Sequence, residues 1–143
     1  MSKTIGILTS GGDAPGMNAV IRAVTRAGIA KGYKVMGIRR GYQGLIEGDM
    51  FEMGPRDVSD IVQRGGTMLY TARSADFMTL EGQQAAKKSC EDAGIDSVVC
   101  IGGDGTYRGA RDLANQGVNC IGIPGTIDND IACTEYTIGY DTA

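Results

Sequence analysis

The residues of this chain that are equipped for chemistry gather in three short glycine-rich stretches: Ser10-Gly11-Gly12-Asp13-Ala14-Pro15-Gly16, Gly102-Gly103-Asp104-Gly105-Thr106 and Pro124-Gly125-Thr126-Ile127-Asp128-Asn129-Asp130. In the first, bare backbone at Gly11 and Gly12 lets amide groups approach a phosphate closely, beside the positive end of the helix that follows. No Gly-Lys-Ser/Thr follows and no GxGxxG spacing is present, so this is neither a Walker A loop nor a dinucleotide fingerprint; a simple tight turn is the other reading. In the second, Asp104 is a single carboxylate with room beside it for a bulky triphosphate. That suits Mg²⁺, which keeps several waters and shares its shell with phosphate oxygens. Aspartate is also a favoured helix N-cap, so the two readings stand side by side. The third brings Asp128 and Asp130 close to Thr126. A hydroxyl attacking phosphorus needs a base, and a carboxylate within hydrogen-bond reach is the common kinase solution, although two acids in a loop are also ordinary solvated turn residues. Arg73, just before Ser74, is either a cation for charge on transferring phosphates or a plain surface arginine. Arg22 and Arg26, four apart on a helix, share one face, open to solvent or to an anion.

These loops need elements to hold them. Thr4–Thr9 has the length and apolar continuity of a buried strand that ends at Gly11-Gly12. Met17, Val20, Ile21, Val24 and Ile29 give a helix over roughly 16–31, and Tyr33 to Ile38 reads as the next strand. The pattern recurs as a helix over 79–93, a strand over 97–101, a helix over 106–115 and a strand over 119–123. The middle, 40–76, reads less clearly: a short helix near 57–63, then a break at Gly65-Gly66-Thr67. Strand, helix, strand is a parallel unit with a right-handed crossover. The expected fold is therefore α/β, a doubly wound, mostly parallel sheet with helices on both faces. Such sheets bind ligands beyond the carboxyl ends of their strands, where the three loops fall.

Composition narrows the classes. The 143 residues are 42% apolar, enough for one domain with a real core. A net charge of −3 offers no basic field to a polyanionic duplex, so nucleic acid is not an expected partner. Cys90, Cys100, Cys120 and Cys133 form no CxxC pair and there is no histidine, which argues against a zinc site and fits a reducing, cytoplasmic setting. No apolar run approaches the roughly 18 residues of a membrane span.

Taken together, SGGDAPGMNAVIR, RGGT followed by TAR, IGGDGTYRGA and IPGTIDNDI, in this order and spacing, closely resemble bacterial ATP-dependent 6-phosphofructokinases. The resemblance runs over the whole chain. It implies transfer of the terminal phosphoryl group of ATP to the 1-hydroxyl of fructose 6-phosphate, giving fructose 1,6-bisphosphate and ADP in the committed step of glycolysis. It also implies roles: Asp128 as base, Thr126 and Ile127 on the substrate, Asp104 as Mg²⁺ ligand with Asp130 assisting. Gly11, Gly12, Arg73, Ser74, Gly103, Gly105 and Thr106 fall at ATP contacts, Gly12 and Arg73 also serving the transfer itself. Pyrophosphate-dependent relatives usually carry an acid at the position of Gly105 and a lysine at that of Gly125, so glycine at both favours ATP. Arg22, Arg26, Arg56 and Asp60 match effector-contacting positions, with Pro55 where an arginine is common. The family's subunit is more than twice as long and forms a homotetramer. The resemblance thus makes residues 1–143 an ATP- and Mg²⁺-binding N-terminal domain, with the sugar-phosphate domain largely absent and this chain alone inactive. The alternatives are a truncated nucleotide-binding module without turnover, a pyrophosphate-dependent enzyme, or a lipid or NAD kinase, which shares only the GGDG turn.

Overall fold

Ile7 and Leu8 are adjacent in sequence and both fully buried, and since neighbouring strand residues point to opposite faces, their strand must be covered on both sides. The computed structural model of the chain, which describes residues 3–11, 17–59, 67–72 and 74–124, places this strand, β1 (Thr4–Thr9), at the centre of a five-stranded sheet. The others are β2 (Lys34–Ile38), β3 (Met50–Met53), β4 (Ser97–Gly102) and β5 (Asn119–Pro124), in the spatial order β3-β2-β1-β4-β5. β1 runs parallel to β2 and β4, Gly6 lying opposite Met36 on one side and Val98 on the other, and β5 is parallel to β4. Only β3, at the edge, is antiparallel.

The helices are α1 (Met17–Ala30), α2 (Gly41–Glu47), α3 (Leu80–Ala93) and α4 (Asp104–Asn115). α1 buries Met17, Val20 and Ile21 on one face of the sheet with Ile7, Val35, Val99 and Ile101. On the other face α2, α3 and α4 bring Tyr42, Leu45, Ala86, Cys90, Ala110 and Leu113 against Leu8, Ile38, Val98 and Cys100. Cys90, Cys100 and Cys120 are free thiols. α3 starts at Thr79, whose hydroxyl accepts from the Gly82 amide at 3.0 Å, and stops at Gly94 in the left-handed conformation. No described helix is long and apolar enough to cross a membrane.

The expected helices and parallel strands are present, with α4 starting two residues earlier than the spacing indicated. The middle segment differs. It contains α2 and β3, which were not anticipated, and a 3₁₀ turn at Pro55–Val58 where a helix over 57–63 was expected; residues 60–66 lie outside the described ones. α2 has seven residues, two of them glycine, and no side-chain cap, so its own propensity is poor. Packing holds it instead, through buried Tyr42 and Leu45 and through Gly44, where a Cβ would collide with the Arg39 carbonyl.

Candidate functional site

β1 has a parallel neighbour on each side, and the chain leaves β1 for α1 on one face and β4 for α4 on the other. Two diverging connections at adjacent strand ends open the crevice in which doubly wound sheets bind their ligands. Here the connections are tied together at their roots. The Ser10 amide donates to the Ile101 carbonyl at 3.0 Å, and the Thr106 hydroxyl, 1% exposed, donates to the Ser10 carbonyl at 3.1 Å. A Cβ on Gly102 would collide with the Thr106 side chain and the Ser10 carbonyl. Gly11 turns away at φ +85, a conformation natural to glycine, its Cα hydrogen facing the Thr106 hydroxyl. The structure thus brings Gly11, Gly103, Asp104, Gly105 and Thr106 to one corner.

At that corner Gly103 is the N-cap of α4 and offers no side-chain bond, so Asp104 is the first helical residue and not the cap. Its carboxylate is exposed in the first turn, favourably placed at the positive helix end. Among the described residues nothing requires glycine at 103 or 105: a Cβ on either meets none of them within 4 Å, and neither has a positive φ. Amides at the start of a helix, beside glycines that add no side chain, are what a phosphate chain requires. Among the described residues no group of three or more acids or thiols is gathered around a metal position. One exposed carboxylate nonetheless fits Mg²⁺, which takes most of its ligands from phosphate and water.

Sequence reasoning passed over Tyr42. Its hydroxyl donates to the Thr106 carbonyl at 2.6 Å, its ring stacks on Phe77 at 4.3 Å and 13°, and Gly109 lies against it with no room for a Cβ. Burial, followed by the nearby Cys100, raises the phenol well above its ordinary value, so Tyr42 stays a hydrogen-bond donor. Phe77 in turn is linked to Ser74, whose hydroxyl donates to Gln43 Oε1 at 2.7 Å and accepts from the Phe77 amide at 3.1 Å. Two expected ATP-contact segments, Ser74 and Gly103–Thr106, are therefore braced by one short helix. No local signal announced this, because Tyr42 and Thr106 are 64 residues apart.

The cations that follow β2 are already engaged. Arg40 binds Glu47 at 2.8 Å and Asp49 at 3.1 Å, and Arg39 lies 4.3 Å over the Phe51 ring. The bond to Arg40 holds the Glu47 carboxyl below its usual range. Arg22 is half-buried and Arg26 exposed on α1, which packs against the 3₁₀ turn bearing Pro55 and Arg56. Gly12, Asp60, Arg73, Thr126, Ile127, Asp128 and Asp130 lie outside the described residues. Pro124, the last residue of β5, is in register with Gly102, so β5 ends beside the corner occupied by Gly103 and Asp104.

Comparison with known proteins agrees with this arrangement. The family described as phosphofructokinase matches residues 4–143. An ATP-dependent 6-phosphofructokinase of Clostridium botulinum strain Hall is 60% identical over 99% of this chain and 44% of its own length. Its counterpart in Halothermothrix orenii is also 60% identical, over 99% of this chain and 43% of its own length. The chain thus spans less than half of each. Among solved structures, Pichia pastoris phosphofructokinase in the T-state superposes with a TM-score of 0.89 at 40% identity, covering 97% of this chain and 17% of that one.

Proposed function

The chain belongs to the phosphofructokinase family, and on that premise we propose that it forms the ATP- and Mg²⁺-binding half of an ATP-dependent 6-phosphofructokinase, completed by a sugar-phosphate domain. The observation that carries this reading is the corner between β1 and β4, where Gly11, Thr106 and the exposed Asp104 meet and where a Cβ on Gly103 or Gly105 would touch none of the described residues.

Each residue then has a task. Amides of Gly11, Gly12 and the first turn of α4 donate to the phosphates of ATP, and Thr106 fixes their direction by holding the Ser10 carbonyl. The hydroxyl of Ser74 donates to Gln43 and accepts from the Phe77 amide, which leaves one remaining lone pair and its backbone for contact with ATP. Asp104 holds Mg²⁺, with Asp130 assisting. When bound, the ion neutralises charge on the phosphate oxygens. Asp128 accepts the proton of the sugar's 1-hydroxyl as that oxygen attacks the terminal phosphorus, while Thr126 and Ile127 position the substrate. Arg73 supplies a cation to the transferring phosphates, a role that Arg40 cannot take while Glu47 and Asp49 hold it. Glycine at 105 and 125 leaves room for a nucleotide in preference to pyrophosphate. By the same reading the whole protein is a cytoplasmic homotetramer, with ADP and phosphoenolpyruvate acting at Arg22, Arg26, Arg56 and Asp60, and with Pro55 altering that response.

The test is a coupled assay for fructose 1,6-bisphosphate on the full-length protein with fructose 6-phosphate and Mg²⁺, comparing ATP with pyrophosphate. Turnover with ATP is expected, and Asp128→Ser should lower kcat by about two to four orders of magnitude with little change in sugar-phosphate KM. Absence of turnover with either donor would replace the kinase by a nucleotide-binding module, and near-normal turnover in the variant would remove Asp128 as the base.

A further inference from the structure

Tyr70 has φ +60, is not glycine, and is 63% exposed. A bulky side chain in the left-handed region is sterically disfavoured, and exposure means that burial of the ring does not hold it there. The restraint comes from the backbone of 67–72, which is fastened from three elements. Asn18 of α1, 2% exposed, accepts from the Met68 amide at 2.7 Å. The Arg40 amide, at the end of β2, donates to the Leu69 carbonyl at 2.8 Å, and the Leu69 side chain is fully buried. The third fastening is a relay of hydroxyls. Thr9, the fully buried last residue of β1, lies 2.9 Å from the Thr67 hydroxyl and donates to the Tyr70 carbonyl at 3.1 Å, while the Leu69 amide donates to Thr67 at 3.1 Å.

A hydroxyl has one hydrogen, which fixes the direction of the relay. The Leu69 amide donates to Thr67, Thr67 donates to Thr9, and Thr9 donates to the carbonyl of Tyr70. Each bond polarises the next. The relay closes on the residue that is unfavourably bent, and Thr9 is the link that joins that bend to β1. One residue beyond Thr9 begins the loop containing Gly11; three beyond Tyr70 stands Arg73.

We propose that Thr9 is a positioning residue, which locks the left-handed bend at Tyr70 and so fixes residues 67–72, which lead towards Ser74, against the end of β1. The effect on rate rests on the kinase reading; the lock itself does not.

The test is a double-mutant cycle of Thr9→Val and Tyr70→Gly in the full-length protein, with Thr9→Ser as the conservative control. Valine keeps the shape and strand preference of threonine but removes both bonds; glycine at a left-handed position removes the need for a lock. Thr9→Val is expected to lower kcat about tenfold, equivalent to about 1.4 kcal/mol, with the fructose 6-phosphate KM within about twofold. Thr9→Ser should retain most of the rate. In the Tyr70→Gly background the loss from Thr9→Val should shrink to about threefold or less. An equal loss in both backgrounds, or a serine variant as impaired as the valine one, would overturn the proposal. If the unsubstituted protein shows no turnover, the kinase reading fails. The same cycle on urea midpoints then decides the lock: a smaller shift from Thr9→Val in the Tyr70→Gly background supports it, and additive shifts overturn it.

Discussion

At Gly105 the needs of the fold and those of a ligand predict opposite results. Gly105 is the second residue of α4, exposed, without a positive φ, and a Cβ there meets none of the described residues within 4 Å. For the protein alone, Gly105→Ala replaces the more flexible residue in a helix, a gain of about 0.5–1 kcal/mol in an interior turn and less in the first. The unliganded melting temperature should therefore stay constant or rise by about 2 °C. For the complex, the added methyl enters the space proposed for the phosphate chain. Overpacking of one carbon costs about 1–3 kcal/mol, which is about five- to 150-fold in the KM for ATP. Gly105→Asp adds repulsion: a carboxylate about 6 Å from a phosphate charge, at an effective dielectric near 20, costs about 3 kcal/mol more. The assay pairs thermal melting without nucleotide with ATP titration at saturating fructose 6-phosphate, on the full-length protein. A melting temperature that falls by several degrees while the KM for ATP holds within about twofold would show that glycine at 105 serves the fold, and would refute the assignment of the space above it to ATP.

Gly102→Ala should behave in the opposite way, because its Cβ collides with the Thr106 side chain and the Ser10 carbonyl; a loss of about 1–3 kcal/mol in urea unfolding is expected before any ligand is added. Tyr42→Phe removes the 2.6 Å bond to the Thr106 carbonyl but keeps the ring stacked on Phe77, so it should cost about 1 kcal/mol of stability and weaken ATP binding more than fructose 6-phosphate binding. Burial pushes the Cys90 thiol from an ordinary 9.0 up to about 12. The unfolded chain loses this proton first, so the contribution to stability is complete below about pH 9 and is lost as pH rises towards about 12; urea midpoints across that window should fall less steeply in Cys90→Ala.

Much of the fold was legible because its signals are local. Apolar runs of strand length ended by glycine gave β1, β4 and β5, and spacing near 3.6 gave α1, α3 and α4. The strand-end loops followed from the same reading, since a sheet whose strands end in glycine-rich polar turns has its crevice defined by its order. What was missed lies between residues 39 and 72. α2 is entered through Arg40 with φ 60, contains two glycines, and is held in place by Tyr42 and Leu45. β3 is a four-residue edge strand whose pattern is too short to show a period.

Whether Asp104 is an N-cap could not be read from the sequence because it turns on a shift of one residue: Gly103 caps α4 and Asp104 opens it, while its role as a Mg²⁺ ligand stays a proposal. A glycine cap sacrifices the side-chain bond that an aspartate there would supply, so the helix keeps only the dipole contribution of Asp104 in its first turn. What the order does provide is a carboxylate one residue inside the helix instead of at its cap, beside the first-turn amides proposed to hold the phosphates. The bonds that assemble the rest of the corner span 58 residues from Thr9 to Thr67, 64 from Tyr42 to Thr106 and 96 from Ser10 to Thr106. Each joins a residue at the end of one strand or helix to a loop that carries the proposed chemistry. The glycines could be recognised as loops in the sequence because they lack side chains; the threonines and the tyrosine that aim those loops look like ordinary core residues until the sheet brings their partners within reach.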